Sequence, residues 1–345
     1  MEINTSAISP ELIIIVATTV GAFILSILLT PIYTTLAFRW KAWKRVRDTA
    51  ITGEKAKIFH KLHAEKHKRN IPTMAGVIFV VTIALITLLF NLSREQTWLP
   101  LFALVAAGGV GLVDDLINIR GGNGGLAGMR SKVKFLLVLL IAGGGAWYFF
   151  FKLGYSSIYV PFLGQQWELG WLLIPLFILV FISTANAVNI TDGLDGLSGG
   201  LLAQAFGAYA VIAFLQGNFG IAAFCGTVVG ALLSYTWFNI HPARFFMGDV
   251  GSFSMGAALA VVAMLTDTVL LLPIIGGMFV IEAGSSLVQI LSKKYFGRKI
   301  FLSAPVHHHF EARGWPETKV TMRFWILGAV FTSFGLLVAF AGGVV

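Results

Sequence analysis

Ten apolar runs, each close to the length of a bilayer-spanning helix, dominate the chain and restrict what it can fold into. About 20 apolar residues cross the hydrocarbon as a helix, and such runs fall at roughly 11–38, 72–91, 98–117, 134–152, 170–188, 199–215, 219–239, 250–266, 269–292 and 322–344. With 57% hydrophobic and only 12% charged residues, the 345-residue chain is not an ordinary soluble enzyme. The expectation is an all-α integral membrane protein of about ten transmembrane helices, one polytopic domain over 1–345. The opening MEINTSAISPELIIIV lacks the basic segment of a cleavable signal, so its apolar stretch reads as a retained first span. A single cysteine, Cys225, excludes an intrachain disulfide framework.

Charge gives the sidedness. An even number of spans puts both termini on one side, and 23 of the 25 Lys and Arg residues fall in the four links 39–69, 118–134, 240–249 and 293–323. Only Arg94 and Lys152 lie opposite. The excess of basic residues marks the cytoplasmic side, so both termini are expected outside. The net charge of +9 then reflects loops beside anionic lipid rather than a nucleic-acid footprint.

The acids fall on the same map. Asp114 and Asp115 end the third run, Asp192 and Asp195 follow the fifth in NAVNITDGLDGLSGG, and Asp249 precedes the eighth in FFMGDVGS. All are expected at the cytoplasmic face. Carboxylates beside hydrocarbon cost about 2.5 to 3.5 kcal/mol on insertion scales and are commonly kept for function. Five of them near one surface repel unless cations intervene, and Mg²⁺ suits such oxygen ligands while leaving room for substrate phosphates. The His and Cys set that zinc prefers is absent.

Plainer readings stand beside these. The Asp pair could simply end a helix at the interface, NITDGLDG could be a Gly-rich turn, and Asp249 could cap a helix. Asn189, Asp192 and Asp195 recur every third residue, so one helical turn would align them, and Gly193 and Gly196 would admit close backbone approach. In SAPVHHHFEARGWPETK, His307, His308 and His309 cannot share one helix face; with Lys293, Lys294, Arg298, Lys299 and Arg313 they look like donors for a large anionic substrate. There is no P-loop, and GGNGGLAG at 121–128 reads as a connector.

In the order PTMAG, DD, NITDGLDGL, FNIHPARFFMGDVGS, EAGSSLVQ, APVHHHFEARGWPETKV and RFW, from about Lys66 to Trp325, the chain resembles the phospho-N-acetylmuramoyl-pentapeptide transferases of the polyprenyl-phosphate N-acetylhexosamine-1-phosphate transferase superfamily. The HHHFE element is more similar to that branch than to relatives using N-acetylglucosamine. The resemblance implies transfer of phospho-MurNAc-pentapeptide from UDP-MurNAc-pentapeptide to undecaprenyl phosphate at the bacterial cytoplasmic membrane, with Mg²⁺, forming lipid I and UMP; it leaves a homodimer open. It implies catalytic roles for Asp114, Asp115, Asp249, His307, His308 and His309. Asp249 would be the metal ligand, Asp114 a base toward the lipid phosphate or, alternatively, a nucleophile, and Asp115 its essential neighbour. Substrate-binding positions would be Lys68, Thr73, Arg130, Lys132, Asn189, Asp192, Gly193, Leu194, Asp195, Asn239, Phe246 and Gln289, with Phe246 stacking on the base.

The sequence departs from the family pattern at two points. The lysine usual three residues after the Asp pair is Asn118, and Arg120, Arg130 or Lys132 are the candidates to replace its charge. Either Lys66 or Lys68 fills the family lysine before PTMAG, spacing to Pro72 favouring Lys68. Glu282 lies deep in the ninth run beside Gly284, Ser285 and Ser286, where a bent helix would need polar partners, and the lipid groove that the resemblance implies near this helix makes it structural support rather than a catalyst. Two rival classes are a sister transferase acting on N-acetylglucosamine phosphate and a secondary transporter. A transporter places such acids near the midplane between related halves, whereas here they gather at one surface and no internal symmetry is visible.

Overall fold

The computed structural model describes residues 9–43, 70–121 and 128–345. Every apolar run in it is helical. The elements are α1 (Pro10–Arg39), α2 (Gly76–Phe90), α3 (Trp98–Arg120), α4 (Ser131–Trp147, continued by a π-helical turn Tyr148–Lys152), α5 (Leu173–Thr191), α6 (Leu197–Leu215), α7 (Phe219–Asn239), α8 (Gly248–Leu265), α9 (Leu272–Ile275), α10 (Gly277–Phe296), α11 (Val306–Ala312) and α12 (Glu317–Ala341). Among the described residues, eight helices are long and apolar enough to cross a membrane, or nine if a bent pair counts as one span. The protein is a predominantly helical, multi-pass membrane protein.

Three of the expected elements differ. The run at 72–91 enters its helix late: Pro72 to Ala75 are extended and pair with the chain before α8, Phe246 N–H donating to Pro72 O (2.8 Å) and Ala75 N–H to Phe246 O (3.0 Å). The remaining 15-residue α2 is about 22 Å long, short of the roughly 30 Å hydrocarbon core. The run at 269–292 is bent by 80° between Val269–Ile275 and Gly277–Phe296, so the break lies at Gly276, before Glu282 rather than beside Gly284. The link after α4 forms an antiparallel hairpin of β1 (Ser157–Val160) and β2 (Gln165–Glu168), pairing Ser157 with Glu168.

Helix α8 is the axis of the bundle, because almost all its residues are buried and glycines line its crossings. A Cβ on Gly111 of α3 would lie 2.2 Å from the Asp249 carbonyl oxygen, and one on Gly76 of α2 would lie 2.4 Å from Gly251 Cα. At the crossing with α5, a Cβ on Gly256 would come within 2.6 Å of Ala185 Cα. Small residues let backbones approach where lipid offers no hydrophobic drive for helix association. The Gly111 contact has a direct consequence: one turn later, α3 presents Asp114 and Asp115 beside the first turn of α8. Asp267, after the other end of α8, accepts from Tyr159 N–H (2.9 Å) and Gln166 Nε2 (2.7 Å). The hairpin therefore covers the end of the bundle remote from Asp249, about 27 Å away along the 18-residue helix.

Candidate active site

The adjacent carboxylates of α3 diverge, since successive helical residues point about 100° apart. Asp115 is fully buried and turns toward the start of α8, where its Oδ2 accepts from Val250 N–H at 3.1 Å. Gly248, at φ +72°, has no side chain, and a Cβ there would lie 2.4 Å from Asp115 Oδ2. A carboxylate at a helix N-terminus meets unpaired amides and the positive end of the helix dipole. Asp115 thus anchors the helix that carries Asp249.

Asp114 faces the other way. Its Oδ2 accepts from Lys134 Nζ at 3.1 Å and its Oδ1 from Met129 N–H. The same ammonium donates to Asp249 Oδ2 and lies 4.2 Å from the ring centroid of Phe253. The three side chains are 13 to 18% exposed, so the cluster is sheltered but reachable. Asn189, on the last turns of α5, donates from Nδ2 to Ser252 Oγ (2.8 Å) and to Asp249 Oδ1 (3.4 Å). Four helices, α3, α4, α5 and α8, converge on this point.

Lys134 is the residue that sequence reasoning missed. It belongs to KVKFLLVLL and reads in the sequence only as link charge, beside the candidates Arg120, Arg130 and Lys132; all three are exposed, and i, i+2 spacing turns Lys132 away from Lys134. A lysine inside the first turn of an apolar run was the available signal. Asn118 does not carry the compensating charge, and α4 supplies it instead.

The second acidic motif does not form one face. Helix α5 ends at Thr191, so Asn189 reaches Asp249 while Asp195 sits beyond a turn in a separate knot. Asp195 Oδ2 accepts from Ala243 N–H (3.0 Å) and bonds His241 Nδ1 (3.0 Å), and Asp195 N–H donates to Glu317 Oε1 (2.6 Å). Leu194 is buried beside it. Asp192 is half-buried at the C-terminal cap of α5. Gly193 admits close approach, as expected, but by a side chain of the protein: a Cβ there would lie 2.4 Å from His307 Nε2.

Other candidates hold the scaffold of the site. Asn239 is buried, accepts from Gly196 N–H (2.9 Å) and donates to Phe245 O (2.8 Å). Gln289 accepts from Ile300 and Phe301 N–H (3.0 Å each) and donates to Phe301 O (3.0 Å). Thr73 is buried in the extended segment, its hydroxyl close to Gly248. Phe246 is half-buried on the paired strand-like segment. Lys66 and Lys68 lie outside the described residues.

The three histidines, which cannot share one helix face, have three different environments. His307 is fully buried with Nδ1 2.8 Å from Glu282 Oε2. His308 bonds Glu311 Oε2 at 2.7 Å, and burial, reinforced by His307, pushes its pKa down to about 4 against the pull of Glu311. His309 accepts from Leu302 N–H at Nδ1 (3.1 Å) and is also shifted down, by desolvation and then by Arg313. His308 is therefore neutral near pH 7.

What remains is an ammonium held between two carboxylates at the end of a helix bundle, over an N-terminus of α8. Such a cluster can exchange charge with a phosphate or a divalent cation. The glycosyl transferase family 4 model matches residues 97–267, the stretch that carries Asp114, Lys134, Asn189 and Asp249. Among curated relatives, the phospho-N-acetylmuramoyl-pentapeptide-transferase of Geobacillus thermodenitrificans (strain NG80-2) is 37% identical over 95% of this chain and 98% of its own. That of Geobacillus kaustophilus (strain HTA426) is 39% identical over 95% and 98%, and that of Chloroflexus aurantiacus (strain ATCC 29366 / DSM 635 / J-10-fl) 36% over 94% and 89%. With identity sustained across nearly the whole length of both chains, the protein belongs to the phospho-N-acetylmuramoyl-pentapeptide-transferase family.

Proposed function

We propose that this chain transfers phospho-MurNAc-pentapeptide from UDP-MurNAc-pentapeptide to undecaprenyl phosphate, giving lipid I and UMP. The observation that carries the reading is the convergence of Asp114 and Asp249 on Lys134 at one end of a membrane bundle. A reaction joining a soluble nucleotide sugar to a lipid phosphate belongs at a membrane surface. One P–O bond forms between a lipid phosphate oxygen and the sugar-bearing phosphorus, and the bond from that phosphorus to the UMP oxygen breaks. Phosphoryl chemistry of this kind is mostly positioning and charge neutralisation.

Mg²⁺ fits the donor set. Asp249 and Asp114 already enclose one cation, the Lys134 ammonium, and their carboxylate oxygens are of the kind a hard cation accepts. Asp249 would hold the ion, with Asp114 beside it, and the bound ion would neutralise charge on the phosphate oxygens. Asp114 Oδ2, oriented by Lys134 and by Met129 N–H, would take the proton of the acceptor phosphate. Asp115 keeps the start of α8 in place.

The site end is assigned to the cytoplasm of a bacterial inner membrane, with both termini outside, because the basic links lie at the end that carries these acids. The bundle is read as one polytopic domain. Release of UMP from UDP-MurNAc-pentapeptide, measured with and without undecaprenyl phosphate and Mg²⁺, tests the reading. Faster turnover of UDP-N-acetylglucosamine would overturn it in favour of the sister activity.

A further inference from the structure

Helix α10 buries four polar side chains on one face, Glu282, Ser285, Gln289 and Ser292, at spacings of three, four and three residues. Each holds part of the chain from Arg298 to His307, which runs from the end of α10 into the first turn of α11. Ser292 Oγ donates to Arg298 O (2.9 Å), Gln289 binds the backbone of Ile300 and Phe301, and Ser285 Oγ accepts from Val306 N–H (2.9 Å). Three neutral groups therefore secure that segment by its backbone. The fourth is a carboxylate with no exposed surface, the costliest side chain to bury, and its partner is an imidazole.

The imidazole is gripped from two sides. Nδ1 of His307 lies on Glu282 Oε2, so Nε2 points away, against Gly193, where a Cβ would stand 2.4 Å from Nε2 and 2.9 Å from Cε1. Gly193 lies in the turn from Asp192 to Gly196, and Asn189, on the last helical turn before it, reaches Asp249 and Ser252. The His307 ring therefore abuts the turn that directly follows the Asn189 end of α5. Neither Glu282 nor His307 has exposed surface with which to meet a substrate.

We propose that Glu282 is a positioning residue of the transfer reaction, acting through His307 to set the Asp192–Gly196 turn against the Asp114–Lys134–Asp249 cluster. The inference rests on the reading under Proposed function, and it makes His307 a positioning residue as well, rather than a group on the reacting atoms.

The test uses the full chain in lipid nanodiscs, with UMP release as the assay. Displacement of about 1 Å at a site of this kind costs roughly 10²-fold in rate, so Glu282→Ala is expected to lower kcat/KM for UDP-MurNAc-pentapeptide by about that factor. Gly193→Ala, which pushes the ring from the other side, is expected to do the same. In a His307→Ala background neither change should add to the loss, because the ring through which both act is gone. Glu282→Gln keeps an acceptor oxygen for Nδ1–H and should recover most of the Ala loss; with Gly193→Ala it also reads the same path if Glu282→Ala does not fold. Losses that multiply in the double variants, or a Glu282→Ala rate within threefold of wild type, overturn the proposal. Absence of UMP release by the wild-type protein would instead refute the functional reading itself.

Discussion

Lys134 offers the sharpest single perturbation, because one ammonium bridges two carboxylates that would otherwise face each other. Lys134→Met keeps most of the length of the side chain while removing the charge and its contact with the Phe253 ring. The side chains are 13 to 18% exposed, so solvent screens the cluster only in part. Loss of one preorganised charge at a phosphoryl-type site costs about 10² to 10³ in rate, or roughly 2.7 to 4 kcal/mol, and UMP release should fall by that factor at saturating Mg²⁺. The metal dependence should move in the opposite direction. Lys134 and Mg²⁺ draw on the same oxygens of Asp114 and Asp249, so removing the ammonium frees ligands and the Mg²⁺ concentration for half-maximal rate should fall, even as the maximum drops. The assay is a Mg²⁺ titration of UMP release for wild type and Lys134→Met side by side. A variant rate within threefold of wild type, or a half-maximal Mg²⁺ concentration that rises, would refute the shared-oxygen argument.

Other outcomes follow from the same geometry. Asp249→Asn keeps shape but removes charge, and turnover should collapse with little rescue by excess Mg²⁺; near-normal rates would exclude it as the principal ligand. General-base help is worth roughly 10² to 10⁴ in rate, so Asp114→Asn should lose about that much while calorimetry still shows nucleotide-sugar binding; a matching loss of affinity would move Asp114 to the donor site. The pKa of His308 is depressed to about 4 from an ordinary 6.5, so the folded state binds fewer protons than the unfolded one between those values. Its contribution is present above pH 6.5 and is lost as pH falls through 4. Thermal midpoints should therefore drop over that window, and His308→Asn should flatten the drop; an unchanged slope would refute the neutral assignment. Cysteines placed at Ser93 and Glu168 should label with a membrane-impermeant reagent from outside the cell and one at Arg298 should not, and the reverse pattern would invert the site.

The sequence by itself determined where the chain is apolar enough to leave water, and the transfer cost of charges into hydrocarbon made both the helical runs and the grouping of Asp114, Asp115 and Asp249 legible without any contact being known. Ordered motifs made the family legible as well, since each is a string of neighbours along the chain. Tertiary structure alone decided which polar groups meet. Glycines at 111, 76 and 256 set how closely α3, α2 and α5 approach α8, and backbone approach between distant segments leaves no periodic trace in one dimension. For that reason the sequence reads Lys134 as link charge, and it gives no sign that Asn239 and Gln289 bond the backbone of neighbouring segments or of what each of the three adjacent histidines meets. A single helical turn gives each of those histidines a different direction, and only the packed neighbours, Glu282, Glu311 and the backbone of Leu302, decide what each imidazole does.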